Sequence, residues 1–242
     1  MHTQVLIVAA PGRGPRIECV GGVAARRTAP DAVHLVSTAA TPLGGDTIDV
    51  RVVVEVGARL RVRSVAAMVV LPGATTMQSH SEWELEVAGE LDLDPEPTVI
   101  AGGSRHQATT RLQIAEAGRV RLRERVQVGR AGEQQGFWEG ALHVDHDALP
   151  VVRHRVELGA GAVGDDEIAT ARAYVSEFRY PESDFGVVRT AERYEPRRDQ
   201  VVMALADRPG SVQRAPSRAV VSTGSPAPRR RRRSTSPPQR RR

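Results

Sequence analysis

The sequence predicts an all-β protein, a sandwich, barrel or solenoid of short strands followed by a disordered basic tail. Three observations predict it. Apolar and polar residues alternate with period two through most of residues 48–158, which is the mark of half-buried strands. Gly57, Gly89, Gly118 and Gly129 punctuate the alternating runs, with none of the spacing that β–α–β units require. After Ala206 the pattern collapses, and residues 207–242 are rich in Pro, Ser, Gly and Arg with no aromatic residue. Such a segment buries too little apolar surface to order itself. Residues 1–206 therefore read as the folded domain and 207–242 as the tail.

The elements follow in order. Ile48, Val50, Val52, Val54 and Val56 share one face, with Asp49, Arg51 and Glu55 opposite, before a Gly57-Ala58 turn. Leu60 and Val62 alternate with Arg59, Arg61 and Arg63; Trp83, Leu85 and Val87 alternate with Glu82, Glu84 and Glu86; Leu91 and Leu93 continue that pattern with Asp92 and Asp94. Leu112 and Ile114 open a further strand, and a long one spans residues 119–128. Leu142 and Val144 come next, then Val152, His154, Val156 and Leu158. One helix is expected, from Asp165 to Val175, because acids suit a helix N-terminus and alanines follow.

With 242 residues, 40% of them apolar, the chain can bury a sizeable core. Cys19 is the only cysteine, which excludes an internal disulfide and any multi-cysteine metal site and fits a reducing compartment. Met1 to Val8 lacks the basic start and cleavage site of a signal peptide, and no apolar run approaches the ~20 residues of a membrane span. A soluble cytoplasmic protein is expected. All 34 basic residues are arginine. Without lysine there is no Schiff base and no P-loop, so any nucleotide hydrolysis belongs to a partner. Residues 1–207 hold 23 Arg against 29 Asp and Glu, whereas Arg208 to Arg242 holds eleven Arg and no acid. The body is acidic and the tail basic.

Three segments carry a family likeness. Pro42-Leu43-Gly44-Gly45-Asp46 leads through a valine-rich strand to Val56-Gly57-Ala58-Arg59-Leu60; Leu93-Asp94-Pro95-Glu96-Pro97-Thr98-Val99-Ile100 follows; then Arg123-Glu124 runs through Gly129-Arg130 to Phe137 and Gly140. In this order and spacing they resemble the urease accessory protein D family, over roughly Val5 to Arg189. The sequence departs from that family at Val65-Ala66-Ala67-Met68-Val69 and at Gln135, which stands at the family's acid position while Glu133 lies two residues earlier. The resemblance implies a β-helix-like fold with two short helices and no catalysis of its own. It also implies a complex with apo-urease, with accessory protein F and, through F, with accessory protein G, the GTPase. Ni²⁺ would pass transiently along a path in the complex, with no tightly bound cofactor.

Four residues are candidates for that path. Glu124 stands on the apolar face of the 119–128 strand among Val120, Leu122, Val126 and Val128. An unpaired carboxylate there is costly, so it pairs with an arginine, sits at a bulge, lines a water-filled passage or meets a metal. Asp46 either holds the Gly44-Gly45-Asp46 turn through backbone N–H groups or contacts metal. His143 and Asp145 offer the mixture of imidazole and carboxylate that suits Ni²⁺ if they share a strand face, whereas the run His143–Asp147 also reads as a solvated turn. His154 reads as a hydrogen-bonded core histidine. Cys19, Met68, Met77, His80 and His106 are scattered in sequence. No Gly-x-Ser-x-Gly or His-Glu-x-x-His motif is present. The runs Arg229–Arg233 and Arg240–Arg242 can bind nucleic acid or another polyanion by counterion release, without aromatic side chains for base stacking. A tail of this composition also arises from translation in a shifted frame.

Overall fold

The computed structural model describes residues 1–133, 136–163 and 172–181, and the backbone of 201–206 and 218–219. Its strands, in chain order, are β1 (His2–Ala9), β2 (Arg16–Val20), β3 (Val23–Ala29), β4 (Ala32–Ser37), β5 (Thr47–Val54) and β6 (Arg59–Ser64). They continue as β7 (Met68–Val70), β8 (Gln78–Val87), β9 (Glu90–Leu93), β10 (Thr98–Ile100), β11 (Arg105–Ile114) and β12 (Arg119–Val128). The last are β13 (Phe137–His146), β14 (Leu149–Gly159), β15 (Ala173–Tyr180), β16 (Val201–Ala206) and β17 (Arg218–Ala219).

Two sheets face each other. In the first, β1, β5, β8, β11 and β13 stack in parallel, so that Val52 lies beside Leu85, Leu85 beside Leu112 and Leu112 beside Val144. In the second, β4, β6, β9 and β12 stack in parallel, and β7 and β10 join β12 beyond the end of β9. The chain crosses from one sheet to the other on each circuit, which makes a β-solenoid of about four turns. Of the sandwich, barrel and solenoid readings, the parallel ladders select the last. Antiparallel strands finish both sheets: β2 on β1 and β14 on β13, then β3 on β4 and β15 to β17 on β12.

The period-two pattern is what fills the space between the sheets, because alternate side chains point to opposite faces. Leu60, Leu91 and Val120 stand in register and are fully buried. Ile7, Val52, Leu85 and Leu112 oppose them from the first sheet, each at most 1% exposed. Truncating one such side chain, as in Leu91→Ala, costs ~2–5 kcal/mol.

Several expectations change. Val56 was expected on the apolar face, but β5 ends at Val54 and Val56 is 68% exposed. The reason is the turn: Glu55 donates its N–H to the Ala9 carbonyl and Ala58 donates back to Glu55. Leu112 and Ile114 close β11 rather than open it. The expected helix Asp165–Val175 is corrected at its end, since Ala173, Tyr174 and Val175 belong to β15 and pair with β12. Residues 164–171 lie outside the described residues, and among the described residues there is no helix. Most of the tail 207–242 also lies outside them, but Arg218 and Ala219 pair with β16.

Candidate functional site

β12 runs with unbroken register against β15, so Glu124 sits opposite Ser176 with no bulge to turn it outward. Its side chain joins the inward row of Val120, Leu122, Val126 and Val128, all buried, and Glu124 itself is half-buried. The neighbouring arginines point the other way. Arg121, Arg123 and Arg125 meet Asp92, Asp94 and Glu177 on the outer surface. Among the described residues Glu124 has no arginine partner, and no bulge interrupts the strand beside it. Burial pushes its carboxyl up to about 7, with no charge partner offsetting the effect.

Around Glu124 the interior is polar. The Tyr174 hydroxyl stands 3.5 Å from His154 Nε2, and the Tyr174 ring packs on Trp138 with centroids 5.3 Å apart. Burial first, and the Glu124 charge second, raise the Tyr174 phenol well above its ordinary value, while a hydrogen bond with Ser176 works against the rise. Burial likewise lowers the His154 imidazole, which is the hydrogen-bonded inward histidine the sequence suggested. Gly140 makes room here, because a Cβ at that position would overlap the six-membered ring of Trp138. Trp83, Ala108 and Thr110 point inward from β8 and β11 yet remain only partly buried.

The other candidates lie elsewhere. Asp46 is 5% exposed; its Oδ2 accepts from Thr41 Oγ1 and the Leu43 N–H, both at 2.9 Å, and Oδ1 meets the Met1 amino group. Burial alone would raise its carboxyl, but these bonds outweigh it and hold the group below the ordinary value. The arrangement is that of a turn-holding aspartate. His143 and Asp145 do share the outward face of β13, and the strand continues to His146, so the solvated-turn reading of this run is corrected. The turn itself is made by Asp147 and Ala148, both with positive φ. Asp145 is held by Arg153 at 2.5 Å. Among the described residues no three His, Cys, Asp or Glu side chains converge as a metal-holding group. The four candidates therefore stand on separate surfaces, with only His143 and Asp145 adjacent.

One polar cluster escaped sequence reading. His106 is 1% exposed, with Ser79 Oγ at 2.9 Å from Nδ1 and Ser81 Oγ at 3.0 Å from Nε2. Burial, reinforced by nearby His80, lowers its pKa to about 4, so it is a neutral core histidine. Ser79 and Ser81 alternate with apolar Trp83 and Leu85 on one face of β8, a signal that marks an inward polar pair without naming its partner.

Residues 23–182 match the family described as UreD urease accessory protein. The chain is 38% identical over 157 residues to urease accessory protein UreD 1 of Saccharopolyspora erythraea, covering 64% of this chain and 60% of that protein. It is 49% identical over 115 residues to urease accessory protein UreD of Frankia alni, covering 47% and 39%. With the protein of the same name from Frankia casuarinae it shares 38% over 180 residues, covering 68% and 56%. In each case the match spans less than two thirds of the relative's length. No helix among the described residues is long and apolar enough to cross a membrane. With its matched region extending across β3 to β15, the chain belongs to the UreD urease accessory protein family, which is non-catalytic.

Proposed function

We propose that the protein acts in urease maturation as a cytoplasmic scaffold that brings nickel-delivering accessory proteins F and G to apo-urease and lets Ni²⁺ pass along the interior beside Glu124. Family membership supports the maturation role. The observation that carries the nickel route is Glu124: a carboxylate turned inward among aliphatic side chains, without an arginine partner among the described residues, and with a pKa of about 7. Such a group holds a proton near neutral pH and gives it up to an arriving cation, then takes it back when the cation moves on. Ser176, Tyr174 and His154 line the same region with oxygen and nitrogen donors suited to a divalent ion in passage. His143 and Asp145, adjacent on the outward face of β13, are secondary candidates, whereas Asp46 is engaged in holding its turn. The test is Glu124→Gln in cells expressing urease but lacking the wild-type protein. Unchanged accumulation of the variant with lower nickel content per urease active site is expected. Normal nickel loading would remove Glu124 from the route while leaving the scaffold reading intact.

A further inference from the structure

The outward face of the first sheet carries a guanidinium that no acid claims. Arg105 opens β11 and lies over the ring of Phe137, its neighbour in register on β13, with the guanidinium carbon 3.9 Å from the ring centroid. Phe137 falls on the outward side of β13, since Trp138 beside it points inward, yet it is only 8% exposed. Stacking uses a flat face of a guanidinium and leaves its N–H groups, which lie in the plane, to bond elsewhere. Among the described residues no ion pair or hydrogen bond engages the Arg105 guanidinium, and the residue is exposed.

Arg105 stands at one end of a cleft of about 280 Å³. Glu139 lies two positions beyond Phe137 on the same face of β13, ~7 Å along the strand, and Glu157 of β14 stands beside it in register. Arg155 serves both carboxylates, at 3.0 Å from Glu139 and 2.9 Å from Glu157, so two acids share one guanidinium and this end of the cleft keeps a surplus negative charge. A chain of amides runs along the same wall: Gln78 donates to Gln107 at 3.0 Å, and Gln107 donates to Glu139 at 3.3 Å. The cleft is balanced in total but divided, positive over Phe137 and negative at Glu139 and Glu157.

The occupant that fits brings an acid and a base at the same separation. In an extended chain, side chains two residues apart share a face and lie ~7 Å apart. We propose that the cleft receives an extended segment of a partner protein in which an acidic residue stands two positions from a basic one, the carboxylate held bidentate by Arg105 and the base beside Glu139 and Glu157. A guanidinium already fixed by stacking loses little freedom on taking a carboxylate, and the Gln78 and Gln107 amides can bond the segment's backbone. The proposal rests on the scaffold reading and supplies one of the surfaces that reading needs.

The test uses the full chain, purified, against purified apo-urease and purified accessory protein F. Arg105→Gln, Arg105→Lys and Glu139→Gln change the cleft, and Arg51→Gln is the control on the same outward face. Arg105 and Arg51 are exposed and Glu139 partly so, so thermal unfolding like that of the wild type is expected. For at least one partner, affinity should fall about tenfold or more in Arg105→Gln, about threefold in Glu139→Gln, and not at all in the control. Arg105→Lys should lose nearly as much as Arg105→Gln, because it keeps the charge but not the planar fork. Wild-type affinity in any of the three cleft variants, for every partner the wild type binds, overturns the proposal and leaves the scaffold reading standing; an equal loss in the control overturns it too, as bulk charge. Binding of the wild-type chain to neither partner defeats the scaffold reading and the proposal with it. Saturable binding of free glutamate by calorimetry, lost in Arg105→Gln, would make the cleft a small-molecule site and refute the partner segment.

Discussion

Replacing Glu124 with glutamine should stabilise the protein, and only above mildly acidic pH. The carboxyl titrates at about 7 in the folded chain against an ordinary value of 4.5. Below 4.5 the group is protonated folded and unfolded alike, so it contributes nothing. Between these values the folded state holds the proton that the unfolded state has released, so stability falls as pH rises through the window. A difference of this size corresponds to about 3 kcal/mol, at 1.36 kcal/mol for each unit. Because Glu124 is only half-buried, water relieves part of that, and ~1–3 kcal/mol is the expected range. Glutamine keeps the volume and cannot ionise. Urea unfolding of both proteins at pH 4 and pH 8 is the measurement: near-equal stability at the lower pH, and the variant more stable by the stated amount at the higher. A variant less stable than wild type at pH 8 would refute the reasoning, since it would mean that the folded state stabilises the charge. A pH-independent difference would refute it as well.

Three further outcomes are expected. Gly140→Val should push the Trp138 ring off Tyr174, costing ~1–3 kcal/mol through overpacking, with loss of near-ultraviolet dichroism as the reporter. Asp46→Ala removes the acceptor for Thr41 and for the Leu43 N–H, at ~1–3 kcal/mol. Because the Asp46 carboxyl is held below its ordinary value, its stabilisation is present above pH 4 and lost as pH falls through the carboxylate range, so the variant's deficit should shrink in acid. Titration calorimetry should show no saturable GTP binding, since the sequence contains no lysine for a P-loop.

The sequence announced strands wherever one face is uniformly aliphatic. β12 emerges with the bounds read from its alternation, and β5 begins one residue before its alternating run and ends two residues short of it. β11 was half invisible, because its first inward positions are His106, Ala108 and Thr110 rather than large apolar residues. Parallel stacking was not legible from alternation, which specifies faces and not partners. It came only through the family likeness. Ala173 to Val175 looked helical from local composition, and pairing with β12 overrode that preference. Glu124 stood out as the lone acid on its face, whereas Ser176, Tyr174 and His154 come from distant parts of the chain, and only the fold assembles them.

The circuits of the solenoid differ in chain length although the strands they contribute stay in register. Surplus residues are therefore absorbed at the corners, such as 71–77 between β7 and β8, and not within the sheets. An insertion or deletion at a corner alters one loop without moving the residues stacked above and below it. Evolution can thus revise what the corners present while the ladder holding Glu124 keeps its geometry.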